Sequence, residues 1–135
     1  MNWRSLLPFA VLCIVIAAGC GERRMNIKGR IVKGGSPFTV KDDDFVRLTF
    51  IPVMADGKPA LTAYIADVNN RDGTFKALGA DLSGIPRGKY RITVSHERNR
   101  KDLLGGAYDG ENSPFVFDIN SIAEEIVIDL DKRKS

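Results

Sequence analysis

Lys89-Tyr-Arg-Ile-Thr-Val-Ser95 alternates polar and apolar side chains along its whole length. Successive side chains of an extended chain point to opposite faces. Tyr90, Ile92 and Val94 therefore share one face, and Arg91, Thr93 and Ser95 share the other. The stretch reads as a strand with one side on a core and the other in water. A helix needs apolar residues three and four apart, and no long stretch beyond residue 25 supplies them.

The same period of two recurs on both sides of this strand. Val46, Leu48 and Phe50 alternate with Arg47 and Thr49, and Ile27, Gly29 and Ile31 mark a first strand. Leu61 to Asn69 predicts another, with Tyr64, Ala66 and Val68 on one face. Thr74 to Leu78 and Phe115 to Ile119 are shorter, and Glu125 to Leu130 closes the series with Ile126, Ile128 and Leu130 inward. Between them lie Gly34-Gly-Ser-Pro37, Asp56-Gly-Lys-Pro59, Asn70-Arg-Asp-Gly73 and Ser83-Gly-Ile-Pro-Arg-Gly88. Glycine supplies positive φ and proline fixes φ, so each of these breaks is a turn with a mechanism. About seven short strands so separated predict an all-β, two-sheet β-sandwich. The one helical turn expected is at Ser121–Glu124, where Ser121 caps and Glu124 lies three residues on.

Composition sets the limits. The chain of 135 residues has a formal charge of +3, which falls by one if Arg4 is removed with an export signal. A balance so near neutral argues against a nucleic-acid partner. Cys13 and Cys20 are the two cysteines. If Cys13 leaves with the signal, Cys20 stands alone, with no intramolecular disulfide and no cysteine left for a zinc site.

Arg4 precedes thirteen uncharged, apolar residues, 6–18, and then Ala17-Ala-Gly-Cys20 ends the run. A spanning helix needs about 20 such residues, whereas the apolar core of an export signal needs about 7 to 15. Ala17-Ala-Gly-Cys20 resembles the lipobox of bacterial lipoproteins, with Ala17 in place of the usual leucine. The resemblance implies cleavage between Gly19 and Cys20, and diacylglycerol on the Cys20 sulfur. One acyl chain binds a bilayer marginally and two or three bind lastingly. The expected division is a signal at 1–19, a lipidated tether at 20–25, one domain at 26–131 and a basic tail at 132–135. Gly21 stands where an Asp acts as an inner-membrane retention signal, so the sequence leans to the outer membrane over the inner.

Ile27-Lys-Gly-Arg-Ile31, Asp72-Gly-Thr-Phe75 and Ile85-Pro-Arg-Gly-Lys-Tyr-Arg-Ile-Thr-Val94 together resemble the carboxypeptidase regulatory-like, or prealbumin (transthyretin)-like, domain. Tyr108 and Ser113-Pro114 match a pattern of some small lipoproteins that carry it. The resemblance spans most of residues 26–131 and implies a seven-stranded Greek-key sandwich with a folding, spacing or binding role. It implies no catalytic residue. The segment Gly34 to Asp44 is longer than the compact turn that the family often has there.

Few residues offer chemistry. His96, the single histidine, is expected as a solvated residue at a strand end, its neighbour Glu97 on the opposite face. Asp42-Asp43-Asp44 reads as a solvated acidic loop, with a cation site as the alternative. Asp67-Val-Asn-Asn-Arg-Asp-Gly73 reads as a hairpin turn, since Arg71 occupies a position where a calcium loop needs oxygen. Glu97 to Ser113, 17 residues, exceeds the usual length of a structureless loop. Its Arg98, Arg100, Lys101 and Tyr108 suit a glycan, a peptide or a lipid headgroup; alternatively Leu103, Leu104 and Tyr108 cover one end of the core.

The sequence thus predicts a lipid-anchored envelope protein whose sandwich is a non-catalytic binding or adaptor module, with no cofactor, no metal and no nucleophile–base pair. Its expected partners are the membrane, through Cys20, and an envelope protein or glycan. A structural spacer is the second reading, and an accessory subunit of an envelope enzyme or transporter the third.

Overall fold

The computed structural model describes residues 23–120 and 125–133. Every regular element among them is a strand. In chain order these are β1 (Arg24–Met25), β2 (Ile27–Lys33), β3 (Ser36–Pro37), β4 (Phe45–Pro52), β5 (Tyr64–Val68) and β6 (Thr74–Ala77). There follow β7 (Ile85–Pro86), β8 (Gly88–Arg98), β9 (Lys101–Asp102), β10 (Val116–Ile119) and β11 (Ile126–Asp129). The longer elements β2, β4, β5, β6, β8, β10 and β11 are those that the alternation predicts. The remaining four have two residues each, a length at which no side-chain period exists to be read. The helical turn expected at Ser121–Glu124 lies outside the described residues, as do Gly19 and Cys20.

Hydrogen bonds order the strands β10-β8-β4-β5-β6-β2-β11, with β3 on β2, β9 on β8, and β1 paired separately with β7. Among the described residues only β11 runs parallel to its partner, Ile126 standing opposite Gly29. β5 joins two layers: Tyr64 to Ala66 pair with β4, and Asp67 and Val68 pair with β6. The path therefore turns over at β5 into a sandwich-like, two-layered fold. Phe50 of β4 meets Phe75 of β6 across the gap, ring centroids 6.1 Å apart, although these strands are not neighbours.

The buried faces are the predicted ones. Val46, Leu48, Phe50, Tyr90, Ile92 and Val94 line one layer; Ile27, Ile31, Phe75, Ala77, Ile126 and Ile128 line the other. The Tyr90 hydroxyl donates to the Pro86 carbonyl four residues back, and its ring stands edge-on to Phe50 at 6.0 Å and to Tyr64 at 6.3 Å. One residue so fixes the Pro86-Arg-Gly-Lys-Tyr90 turn to the core. Gly29 is an inward position without a side chain because Phe75, directly opposite, fills its place. A Cβ there would lie 2.3 Å from the Phe75 Cζ and 2.2 Å from the Ile126 carbonyl oxygen.

Three expectations change. The strand expected from Leu61 begins at Tyr64, and Leu61 is fully exposed. Leu61 and Ala63 have the opposite parity to Tyr64, Ala66 and Val68, so one pleated strand cannot bury both sets. The tether does not reach residue 25, because Arg24 and Met25 pair with Pro86 and Ile85, and Met25 is buried. Met25 and Ile85 each bring an apolar side chain to that pairing, so the segment read as a polar tether and the one read as a turn bury together. Finally, 97–113 is not structureless: β8 runs on to Arg98 and returns through β9.

Ile92 is wholly buried, and truncation of such a residue costs roughly 2–5 kcal/mol. Ile92→Ala should lower the urea midpoint accordingly, while Thr93→Ala, on the opposite face, should change it little. Gly29→Ala should also destabilise, and combination with Phe75→Leu, which clears space at the ring, should restore part of the loss.

Candidate functional site

The β2–β4 connection, the β5–β6 turn and the β8–β9 hairpin meet at one end of the sandwich. Asn70 links the first two: its amide donates to the Asp44 carbonyl at 2.9 Å and to that of Lys41 at 3.2 Å, and its own carbonyl accepts from the Val40 N–H at 2.9 Å. The turn itself is the expected hairpin. Asn69 and Asp72 each accept a backbone N–H two residues on, and Gly73 has a φ of 73° beside the Ile31 carbonyl.

Asp44, immediately before β4, is the centre of this end. Its side chain is fully buried. Arg98 donates through Nε to Oδ1 at 2.7 Å and through Nη2 to Oδ2 at 2.6 Å. His96 Nε2 lies 2.7 Å from Oδ2. Phe38 closes the far side, its ring edge-on to His96 at 5.7 Å. The Arg98 hydrogen bonds, and then that of His96, hold the Asp44 carboxyl well below the usual carboxylate range, against the opposing effect of burial. A bidentate guanidinium–carboxylate pair fixes orientation as well as charge.

Two expectations are corrected here. His96 is not a solvated end residue; its side chain is 13% exposed and packed in the clasp. The alternation that buries Tyr90, Ile92 and Val94 simply continues through His96 and Arg98. Nor is the acidic run a uniformly solvated loop. Asp44 points inward with the parity of Val46, while Asp42 is exposed and pairs with Arg71 at 3.3 Å. The three carboxylates do not converge, and among the described residues no group of three or more His, Cys, Asp or Glu side chains is placed to hold a metal.

Asp102 ties the hairpin from the other side. Its carboxylate accepts the backbone N–H groups of His96, Leu104 and Gly106, each at 3.0 Å. Burial pushes its carboxyl up, and these N–H groups outweigh that effect and hold it low. Between Arg98 and Lys101, Asn99 and Arg100 have φ of 50° and 64°. Two successive left-handed residues make the tight hairpin turn whose twist matches its strands.

The four predicted loop residues therefore separate. Arg98 is committed to Asp44. Arg100 and Lys101 are exposed at the hairpin tip. Tyr108 is 1% exposed; its ring stacks on Phe115 at 5.5 Å, its hydroxyl donates to the Leu130 carbonyl, and the Arg133 guanidinium lies 5.1 Å above the ring. Sequence reasoning placed Asp44 in the acidic run without its partners His96 and Arg98, and gave Asp102 and Asn70 no role. A groove of about 750 Å³ on the outer face of β2, β5 and β6, between Lys28, Lys76, Asp67 and Glu125, mixes both signs of charge. Comparison with protein-family models, curated proteins and solved structures found no match.

Asp44 is held low only in the folded chain, so its contribution is complete above the unfolded carboxyl pKa, about 4, and is lost progressively as pH falls from there towards its depressed folded value. Asp44→Asn should destabilise at pH 7 and flatten the fall in urea midpoint below about pH 5. Asp72, Asp81 and Asp102 are also held low and should retain part of the slope. Tyr108→Phe, which loses one buried hydrogen bond, should cost about 1 kcal/mol, and Tyr108→Ala roughly 3–5 kcal/mol, both measurable by urea titration.

Proposed function

We propose that this chain is an envelope lipoprotein, acylated on Cys20, whose prealbumin-like sandwich serves as a non-catalytic binding module through its β8–β9 hairpin. The observation that carries the reading is the state of the hairpin. Arg98 is clamped by Asp44 and the turn is a tight two-residue one. Arg100 and Lys101 consequently project on a frame that is already ordered, and a preorganised loop loses less entropy on binding. Two cations so presented suit an envelope protein or glycan that carries negative charge.

The finer fold assignment has its own support. β4, β5 and β6 are consecutive neighbours and β8 returns beside β4, the 4-1-2-3 order of a Greek key. The Tyr90 hydroxyl on the Pro86 carbonyl is the tyrosine corner found in sandwiches of this kind. A purely structural spacer is the second reading, favoured by the burial of Tyr108.

Anchoring is tested by metabolic labelling with a palmitate analogue. Wild-type chain should be labelled, and Cys20→Ser should lose the label and retain its signal. For the hairpin, Arg100→Glu with Lys101→Glu should leave the melting temperature unchanged and deplete the partner recovered from envelope extract by the full-length chain. Recovery of the wild-type partner set would select the spacer.

A further inference from the structure

We infer that the end of the sandwich opposite the hairpin is a membrane-docking face, which seats apolar loop residues among anionic lipid headgroups. The inference rests on the acylation of Cys20 proposed above. Strand pairing defines this end: Phe50 stands opposite Tyr64, Ile27 opposite Ala77, and Ile119 opposite Gly88. The 53–63 and 78–84 loops and β1 therefore lie together, away from Asp44. Met54, Leu61 and Leu82 on these loops are 55%, 106% and 71% exposed. Leu82 moreover has a φ of 62°, a conformation that is costly for a bulky side chain. In water that exposure returns nothing, whereas at a bilayer surface it places an apolar side chain where burial is favourable.

Charge on this end fits the same surface. Arg23, Arg24 and Arg87 are exposed here. The Arg24 guanidinium donates through Nη1 to the Gly84 carbonyl at 3.2 Å, which fixes that cation to the loop that carries Leu82, and the Arg87 backbone N–H donates to the Arg23 backbone carbonyl at 3.3 Å, which ties the two chain segments that carry the others. Exposed Lys58 and Lys89 join them, and Asp56, Asp81, Asp118 and Glu125 at the same end offset them in part. Basic residues next to an anionic bilayer each strengthen attachment about fivefold, through roughly 1 kcal/mol.

Covalent reach supplies the occupant. Three residue steps separate Cys20 from Arg23, and extended chain spans at most about 3.6 Å per residue. Whatever path that segment takes, Arg23 stays within about 11 Å of the acylated residue. The bilayer that holds the acyl chains is the surface this end meets.

The test uses the processed, acylated chain, residues 20–135, reconstituted in vesicles of phosphatidylethanolamine with phosphatidylglycerol, part of the lipid brominated in its acyl chains. Trp3, the single tryptophan, is removed with the signal. Leu82→Trp and Leu61→Trp therefore each carry one reporter at the docking end, and Leu103→Trp carries one at the hairpin end. Leu61 is fully exposed, so its replacement leaves the core untouched. The expected result is a blue shift and loss of most emission at positions 82 and 61, with position 103 unchanged. Arg23→Glu with Arg87→Glu, or vesicles of phosphatidylcholine alone, should return much of the lost emission. Equal quenching at all three positions in a chain that carries acyl groups by intact mass, and floats with the vesicles, overturns the docking face and leaves the lipoprotein reading standing. Quenching at 82 and 61 that ignores anionic lipid overturns the headgroup assignment. An intact mass without acyl groups overturns the lipoprotein reading, and the docking face with it.

Discussion

The pairing of β4 with β8 governs both the core and the clasp. It runs from Phe45 opposite Glu97 to Pro52 opposite Tyr90, the longest ladder among the described residues. Within it Val46 faces His96, Leu48 faces Val94 and Phe50 faces Ile92. Even-numbered residues of both strands point inward, and a slip of one residue would turn every one of them to solvent. The same parity carries past the apolar residues to Asp44 and to His96 and Arg98. Where the apolar side chains end, a buried carboxylate meets two basic groups on the same face. Apolar packing and ion pairing are therefore two stretches of one register. Removal of Asp44 alone would leave the guanidinium facing a poorly solvated site, which costs more than a surface charge would.

β5 imposes the second constraint. Its first half serves one layer and its second half the other, so the chain changes layers with no connecting loop. Tyr64 at its start touches Tyr90, whose hydroxyl fixes the turn that enters β8. The layer change and the entry to the longest strand are thus held by adjoining rings in one core.

The alternation was legible because each long strand keeps one face on the core. Ile126, Ile128 and Leu130 are buried as their spacing predicts, and so are Tyr90, Ile92 and Val94. The clasp was legible in principle, since Asp44, His96 and Arg98 continue patterns already identified. It was passed over because a polar residue at a strand end reads as solvated unless its partner across the sheet is known. That partner, Asp44 for Arg98, lies 54 residues away. Pairings of two residues, such as β1 with β7, were beyond any periodic reading. Nothing in the spacing of Glu97 to Ser113 distinguished a committed arginine from a free one; only the fold separates Arg98 from Arg100.

The first and last long strands are neighbours and run parallel, with β2 leading away from the N-terminal end and β11 beside it. The evenly spaced bonds of a parallel ladder join Gly29 through Val32 to Ile126 through Asp129, and the Leu130 N–H adds another to the Val32 carbonyl at 2.9 Å. A pull applied between the N-terminal end of β2 and the C-terminal end of β11 acts along these strands. It loads the bonds together, in shear, where an antiparallel hairpin pulled from its open end would release them one after another like a zip. Traction along the strand axis therefore meets the whole ladder at once, and the two ends of the chain are held together more firmly than any hairpin would hold them.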